Sequence, residues 1–167
     1  NAVAQSIRDF AATAYSLGDS NALAAGTEDV CRSGASVSAF GEYLHKKYGD
    51  LTALNAAWGA QYETWDGLAP ATLEEARAAK SYARWVDFRL FMDSVYMNTL
   101  SAGRSVVRTV DLRARVGMRP LQSDRIYSGN DWGALASRLE MLAVPSDAYT
   151  LGRVRQARPI QALTAVS

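Results

Sequence analysis

The chain has 167 residues, 49% of them hydrophobic and 21% charged, the composition of an ordinary globular domain able to bury a core. Its 18 Lys and Arg nearly cancel its 17 Asp and Glu, and no long run of one sign offers a phosphate backbone anything to bind, so nucleic acid is excluded as a partner. The apolar runs are short and broken by Arg, Asp or Gly, far from the roughly 20 residues of a membrane helix, and the lone Cys31 rules out an internal disulfide or a CxxC-type metal cluster.

The opening NAVAQSIRDFAATAY has no basic start, apolar centre and cleavage site, so it reads as the end of a helix rather than a signal peptide, with Val3, Ile7 and Phe10 at helical spacing. AYSLGD is then a short extended run closed by Gly18 and Asp19. Residues 21–36, rich in Gly, Ser and small side chains, predict a loop. Ser36 or Ser38 is placed to cap a helix carrying Phe40, Tyr43, Leu44 and Tyr48, and Gly49 ends it. Asp50 or Thr52 starts a shorter helix through Leu54 and Trp58, stopped at Gly59, and the aromatic turn QYETWDGLAP follows.

Thr72 and Glu75 have the spacing of a capping box and open another helix. From Arg84 to Val110, Trp85, Phe88, Met92, Val95, Thr99, Gly103 and Val106 recur in three- and four-residue steps, which predicts one long helix with a continuous apolar face. Arg115 to Met118 is β-like, Pro120 to Gly129 a polar loop, and Asp131 the cap of a helix through Leu135 and Leu139. Met141 to Val144 is a strand; Asp147 and Tyr149 lie in a loop, Arg153, Arg155 and Arg158 in a basic stretch, and IQALTAV is a last strand. Helices alternating with such short strands predict one α/β domain whose parallel strands are joined by right-handed crossovers, as a barrel or an open sheet. No GxGxxG or GxxxxGK[ST] follows a strand, and no repeat of fixed period is present.

One block narrows the choice. YLHKKYGDLTALNAAWG, within Phe40 to Trp65, is similar to the W-L-K-x-K-Y-G-x-L-x-x-L-N-x-A-W-G segment of family 42-type glycoside hydrolases. RWVDFRLFMDSVY resembles that family's D-[YF]-x-x-F helix, and NDWGALASRLEML its D-[YW]-x-x-x-[AS]-x-x-L-D-x-[LV] run, all in the family's order. The resemblance implies a middle slice of a (β/α)8 barrel, from the fourth unit (AYSLGD) through the fifth (RVGM) and sixth (MLAV) to the seventh (IQALTAV). A complete barrel takes about 250 residues, so other chains or segments would complete this one.

The resemblance also implies retaining chemistry, in which a Glu ending the fourth strand protonates the leaving oxygen and a Glu ending the seventh attacks the sugar, about 5–5.5 Å apart. Here Tyr15-Ser16-Leu17-Gly18-Asp19-Ser20 has Ser20 where the family has the acid/base Glu, and a serine cannot supply that proton. Three explanations stay open: a substitution made to trap substrate, natural loss of catalysis, or a register one residue earlier with Asp19 as the acid. IQALTAV holds no carboxylate, so the nucleophile is not found. No cofactor is implied. Cys31 stands where some relatives have a first zinc cysteine, but Ser33 and Gly34 replace the partners, so no metal site is expected.

Carbohydrate is the expected partner. Trp58, Tyr62 and Trp65 either stack on a pyranose or clamp their loop; His45 reads as a structural histidine. Arg119, Gln122, Ser123, Asp124 and Arg125 follow the fifth strand, and Asp147 and Tyr149 the sixth, on the barrel face that binds ligands. Three functions are carried forward: a glycosidase segment acting on β-linked, galactosidic sugars, a non-catalytic carbohydrate-binding or scaffold protein on a decayed barrel, and a helical interaction module.

Overall fold

The computed structural model describes residues 2–10, 12–121, 126–144 and 161–164. The elements in order are α1 (Ala2–Ile7), β1 (Tyr15–Ser16), α2 (Gly34–Tyr48), α3 (Leu51–Trp58), α4 (Leu73–Ala79), α5 (Ala83–Arg108), β2 (Val116–Met118), α6 (Trp132–Arg138), β3 (Met141–Val144) and β4 (Gln161–Thr164). Short 3-10 turns occupy Arg8–Phe10 and Ile126–Ser128. Two compact units result, Asn1–Ala25 with Val95–Ser167 and Gly26–Ser94, and α5 contributes to both. No helix among the described residues is long and apolar enough to cross a membrane.

The first unit holds the sheet. Its four strands are all parallel, in the order β1-β2-β3-β4. Parallel neighbours need a crossover, and helices lie between β1 and β2 and between β2 and β3. One apolar cluster joins Met97 and Leu100 of α5 to Met118, Leu135, Leu139 and Leu142; a second joins Ala4, Tyr15, Ala114 and Val116. Gly117 permits the close approach of β2 and β3, because a Cβ there would lie 2.3 Å from the Met141 carbonyl oxygen.

At the start of β2 and β3, Glu140 gathers three donors. Arg104 grips Oε1 through Nε and a very short contact from a terminal nitrogen, Arg108 donates to the same oxygen at 2.8 Å, and the Val116 N–H reaches Oε2 at 3.1 Å. Burial alone would raise the Glu140 carboxyl, but these hydrogen bonds and the two guanidinium charges outweigh it and hold the group below its ordinary value.

The second unit is helical, with capped ends. Ser33 caps α2, accepting from the Ser36 N–H at 3.2 Å, so the helix begins before the predicted Ser36 or Ser38. Ser33 is extended and meets a free N–H three residues on; Ser36, as the donor of that bond, lies inside the first turn. Asp50, not Thr52, caps α3, and the Thr72–Glu75 capping box opens α4. Gly49 and Gly59, at φ 78° and 62°, end α2 and α3.

Around Asp87, 3% exposed, the unit closes. Lys47 Nζ (2.5 Å), Tyr48 O–H (2.7 Å) and Trp58 Nε1–H (2.8 Å) all donate to its carboxylate, tying α2 and α3 to α5. Phe40 packs edge-on against Phe88 and tilted against Phe91. The long helix departs from the predicted continuous face. Phe88, Phe91 and Met92 are buried in the second unit, whereas in the first the buried residues are Met97 and Leu100, and Val95 and Val106 are 39% and 44% exposed. One helix serving two cores is not bound to bury a single stripe.

Candidate functional site

The chemistry-bearing residues of the first unit lie just past β1. Tyr15 pairs with Val116 and Ser16 with Gly117, an offset of 101, but Asn21 bridges Pro120, an offset of 99. Two residues of the β1 chain are therefore in excess of the ladder. After Leu17 N–H to Gly117 O the next bond is out of step, from Arg119 N–H to the Gly18 carbonyl at 3.0 Å, and the strands pair again with Asn21 N–H to Arg119 O and Leu121 N–H to Asn21 O. The bulge between them is Gly18, Asp19 and Ser20. Gly18 takes φ 149° and Ser20 φ 56°, a left-handed value uncommon for a residue with a Cβ. Bulges of this kind re-aim side chains out of a sheet and recur beside active sites.

On this bulge Asp19 and Ser20 are exposed, and the sheet brings Arg119 to them from the end of β2. Asp19 Oδ2 accepts from Arg119 at 3.3 Å, and Oδ1 accepts from the Ser20 hydroxyl at 3.1 Å. With the two side chains 62% and 44% exposed, this ion pair contributes at most about 1 kcal/mol to stability, so its consequence is orientation. Below the bulge, Asn21 Nδ2 and the Tyr96 hydroxyl both donate to Met118 Sδ, at 3.7 and 3.8 Å. Burial pushes Tyr96 up to about 12, so it remains a donor at neutral pH. Sequence reasoning missed Asn21; an Asn directly after a Gly-Asp-Ser turn was its only signal.

Trp58 and Trp65 belong to the second unit. Trp58 is 5% exposed, spends its indole N–H on Asp87 and meets Tyr62 edge-on at 5.9 Å. Asn55 pins the same loop, its amide exchanging two 2.8 Å bonds with the Tyr62 backbone. Trp65 is half-buried, with the exposed His45 stacked on it at 3.7 Å. Gln122, Ser123, Asp124, Arg125, Asp147 and Tyr149 lie outside the described residues. Cys31 is free and exposed, and among the described residues no group of three or more His, Cys, Asp or Glu is placed to hold a metal ion.

Known proteins give these features a context. A β-galactosidase from Bacillus circulans sp. alkalophilus superposes with a TM-score of 0.70 at 14% identity, over 90% of this chain and 23% of that one. The β-galactosidase of the Antarctic haloarchaeon Halorubrum lacusprofundi gives 0.57 at 22%, over 70% and 18%, and an exo-carrageenase of Bacteroides ovatus 0.58 at 20%, over 74% and 18%. The chain thus spans about a quarter or less of these structures. No curated protein matches in sequence. The four sequential parallel strands are part of a (β/α)8 barrel of the glycosidase type. The family model described as β-galactosidase, glycoside hydrolase family 42, matches residues 20–162. The chain belongs to that family.

Proposed function

We propose that this chain forms the acid/base side of a family 42 barrel, its fourth to sixth or seventh β/α units, and that it engages a β-linked, galactosidic sugar beyond β1 without completing the cleavage. The observation that carries the reading is Ser20. The position that would hold the general acid lies on a bulge beside a charged pair, and its side chain is a hydroxyl. Both oxygens of Asp19 are engaged as acceptors by its neighbours, which favours sugar-hydroxyl recognition over proton donation for that residue. Asp19 and Arg119 together offer the acceptor and the donors that a vicinal pair of sugar hydroxyls requires. Gln122, Asp124, Asp147 and Tyr149 stay candidate sugar contacts only by their place in the sequence, after the strands that the family resemblance makes the fifth and sixth. The burial of Trp58 supports the clamp role for it, and the stacking of His45 on Trp65 favours the same role there.

Other chains or segments supply the remaining strands and the nucleophile. A non-catalytic binding protein on a decayed barrel rests on the same Ser20, whereas a purely helical interaction module leaves the parallel sheet without a role. Calorimetric titration with a non-hydrolysable β-thiogalactoside tests the binding. Saturable heat is expected, weakened about tenfold, or about 1.4 kcal/mol, by Arg119→Ala; no saturable heat from the unaltered chain contradicts the reading.

A further inference from the structure

Gly18, Asn21 and Met118 form a wedge that the sugar chemistry does not itself require. A Cβ built on Gly18 would lie 2.7 Å from both Asn21 Nδ2 and Oδ1, so the amide lies against the glycine's Cα. From there Nδ2 reaches Met118 Sδ, which is 2% exposed within the core cluster of the first unit. The Asn21 backbone is fixed as well, since its N–H donates to Arg119 O and its C=O accepts from Leu121. The residue that restores the ladder after the bulge is therefore anchored at three points, and its side chain fills the space over the bulge's first residue.

The alternative to the bulge is a slip in which Asp19 takes its place opposite Pro120, as the offset of β1 to β2 would dictate. Because the excess is two residues and the side-chain period of a strand is two, that slip would keep each side chain on its face, but it would draw Asp19 and Ser20 into the ladder and put Asp19 where Asn21 stands. Asn21 opposes that slip, because moving it would withdraw its amide from Gly18 and break all three anchors. A thioether is a weak acceptor, so the packing against Gly18 and the two ladder bonds carry more of this restraint than the contact to sulfur.

We propose that Asn21 is a positioning residue. Its wedged amide sets the left-handed conformation of Ser20 and thereby holds Asp19 and Ser20 out of the sheet, where a ligand can meet them. The use of that presentation for a sugar rests on the function proposed above, whereas the conformational claim is independent of it.

The test is NMR on the full 167-residue chain. In the unaltered protein Ser20 gives the strong intraresidue HN–Hα cross-peak of a positive φ. Asn21→Ala is expected to lose that signature and to speed amide exchange at Asn21 and Leu121 at least tenfold, while the far-UV circular dichroism is unchanged. Met118→Leu keeps the packing volume and removes the acceptor; a smaller, several-fold rise in exchange at the same two amides is expected. Should Asn21→Ala fail to fold, the Met118→Leu exchange decides. A Ser20 signature retained in Asn21→Ala, or exchange unaltered in Met118→Leu when the first variant does not fold, overturns the proposal. A titration with β-thiogalactoside then separates the two claims. Weaker binding in Asn21→Ala by fivefold or more supports the positioning role, whereas an unaltered protein that binds no sugar sinks only the sugar reading.

Discussion

Glu140 concentrates in one side chain what holds the bottom of the sheet together, since Arg104, Arg108 and the Val116 N–H all end on it. Glu140→Gln leaves two partly exposed guanidinium groups without their anion and is expected to cost about 1–2 kcal/mol in urea unfolding. Because its folded-state carboxyl lies below the unfolded value, its contribution is complete above the ordinary carboxylate range and is lost as pH falls through the depressed folded value. The unaltered protein should therefore lose its margin over Glu140→Gln on acidification, which unfolding curves at neutral pH and below pH 4 or so would read. Gly117→Ala is the harsher change. Its Cβ would collide with a strand backbone rather than a movable side chain, so a loss of about 3 kcal/mol or failure to fold is expected from thermal melts. Sequence alone gives Gly117 as part of a β-like run, but the identity of the neighbour it must accommodate is a matter of sheet pairing. The same holds for Ser20, whose left-handed backbone is not legible in the sequence. Asn21 was missed for the same reason, since its partners Met118, Arg119 and Leu121 meet it only once β2 is paired.

Among the elements, the helices of the second unit show why the family words read as they do. Within YLHKKYGDLTALNAAWG, Tyr48 and Trp58 bind Asp87, Gly49 and Gly59 close helices, Leu54 is fully buried and Asn55 pins the following loop. Asp87 and its neighbours Phe88 and Phe91 are the D-[YF]-x-x-F residues of the second block, so two stretches matched separately in sequence meet at one carboxylate. The third block contributes the Asp131 cap of α6, the buried Leu139 and, in the acidic position, Glu140. Asp87→Ala would leave three donors without an acceptor, the Trp58 indole N–H among them in the interior, and should destabilise by about 3 kcal/mol, measured by chemical denaturation. Thr72→Ala removes half of the capping box and should cost about 1 kcal/mol. Local signals of this kind, a Thr three residues before a Glu or an Asp before an apolar run, were legible because both partners lie within one turn. The face of α5 was not, because periodicity reports that a helix is amphipathic and not that two cores divide it.

The first unit is a parallel sheet with helices between β1 and β2 and between β2 and β3, and the alternation of short strands and helices in the sequence was enough to anticipate that arrangement. Alternation could not choose between barrel and open sheet; the resemblance did, and the barrel glycosidases that superpose on the chain agree with it. The blocks that carry the resemblance are scaffold, so the family match over residues 20–162 is compatible with the proposal that Ser20 stands at the acid/base position. Membership therefore speaks for the fold, and the proposed loss of acid/base function is a claim about Ser20 to be tested separately. The decisive measurement is turnover of an aryl β-galactoside by the barrel completed with its remaining strands, with Ser20 and with Ser20→Glu. No turnover with Ser20 and a gain of at least a thousandfold with Glu, about 4 kcal/mol of barrier, is the predicted result. Equal turnover by the two would contradict it and return the proton to another residue.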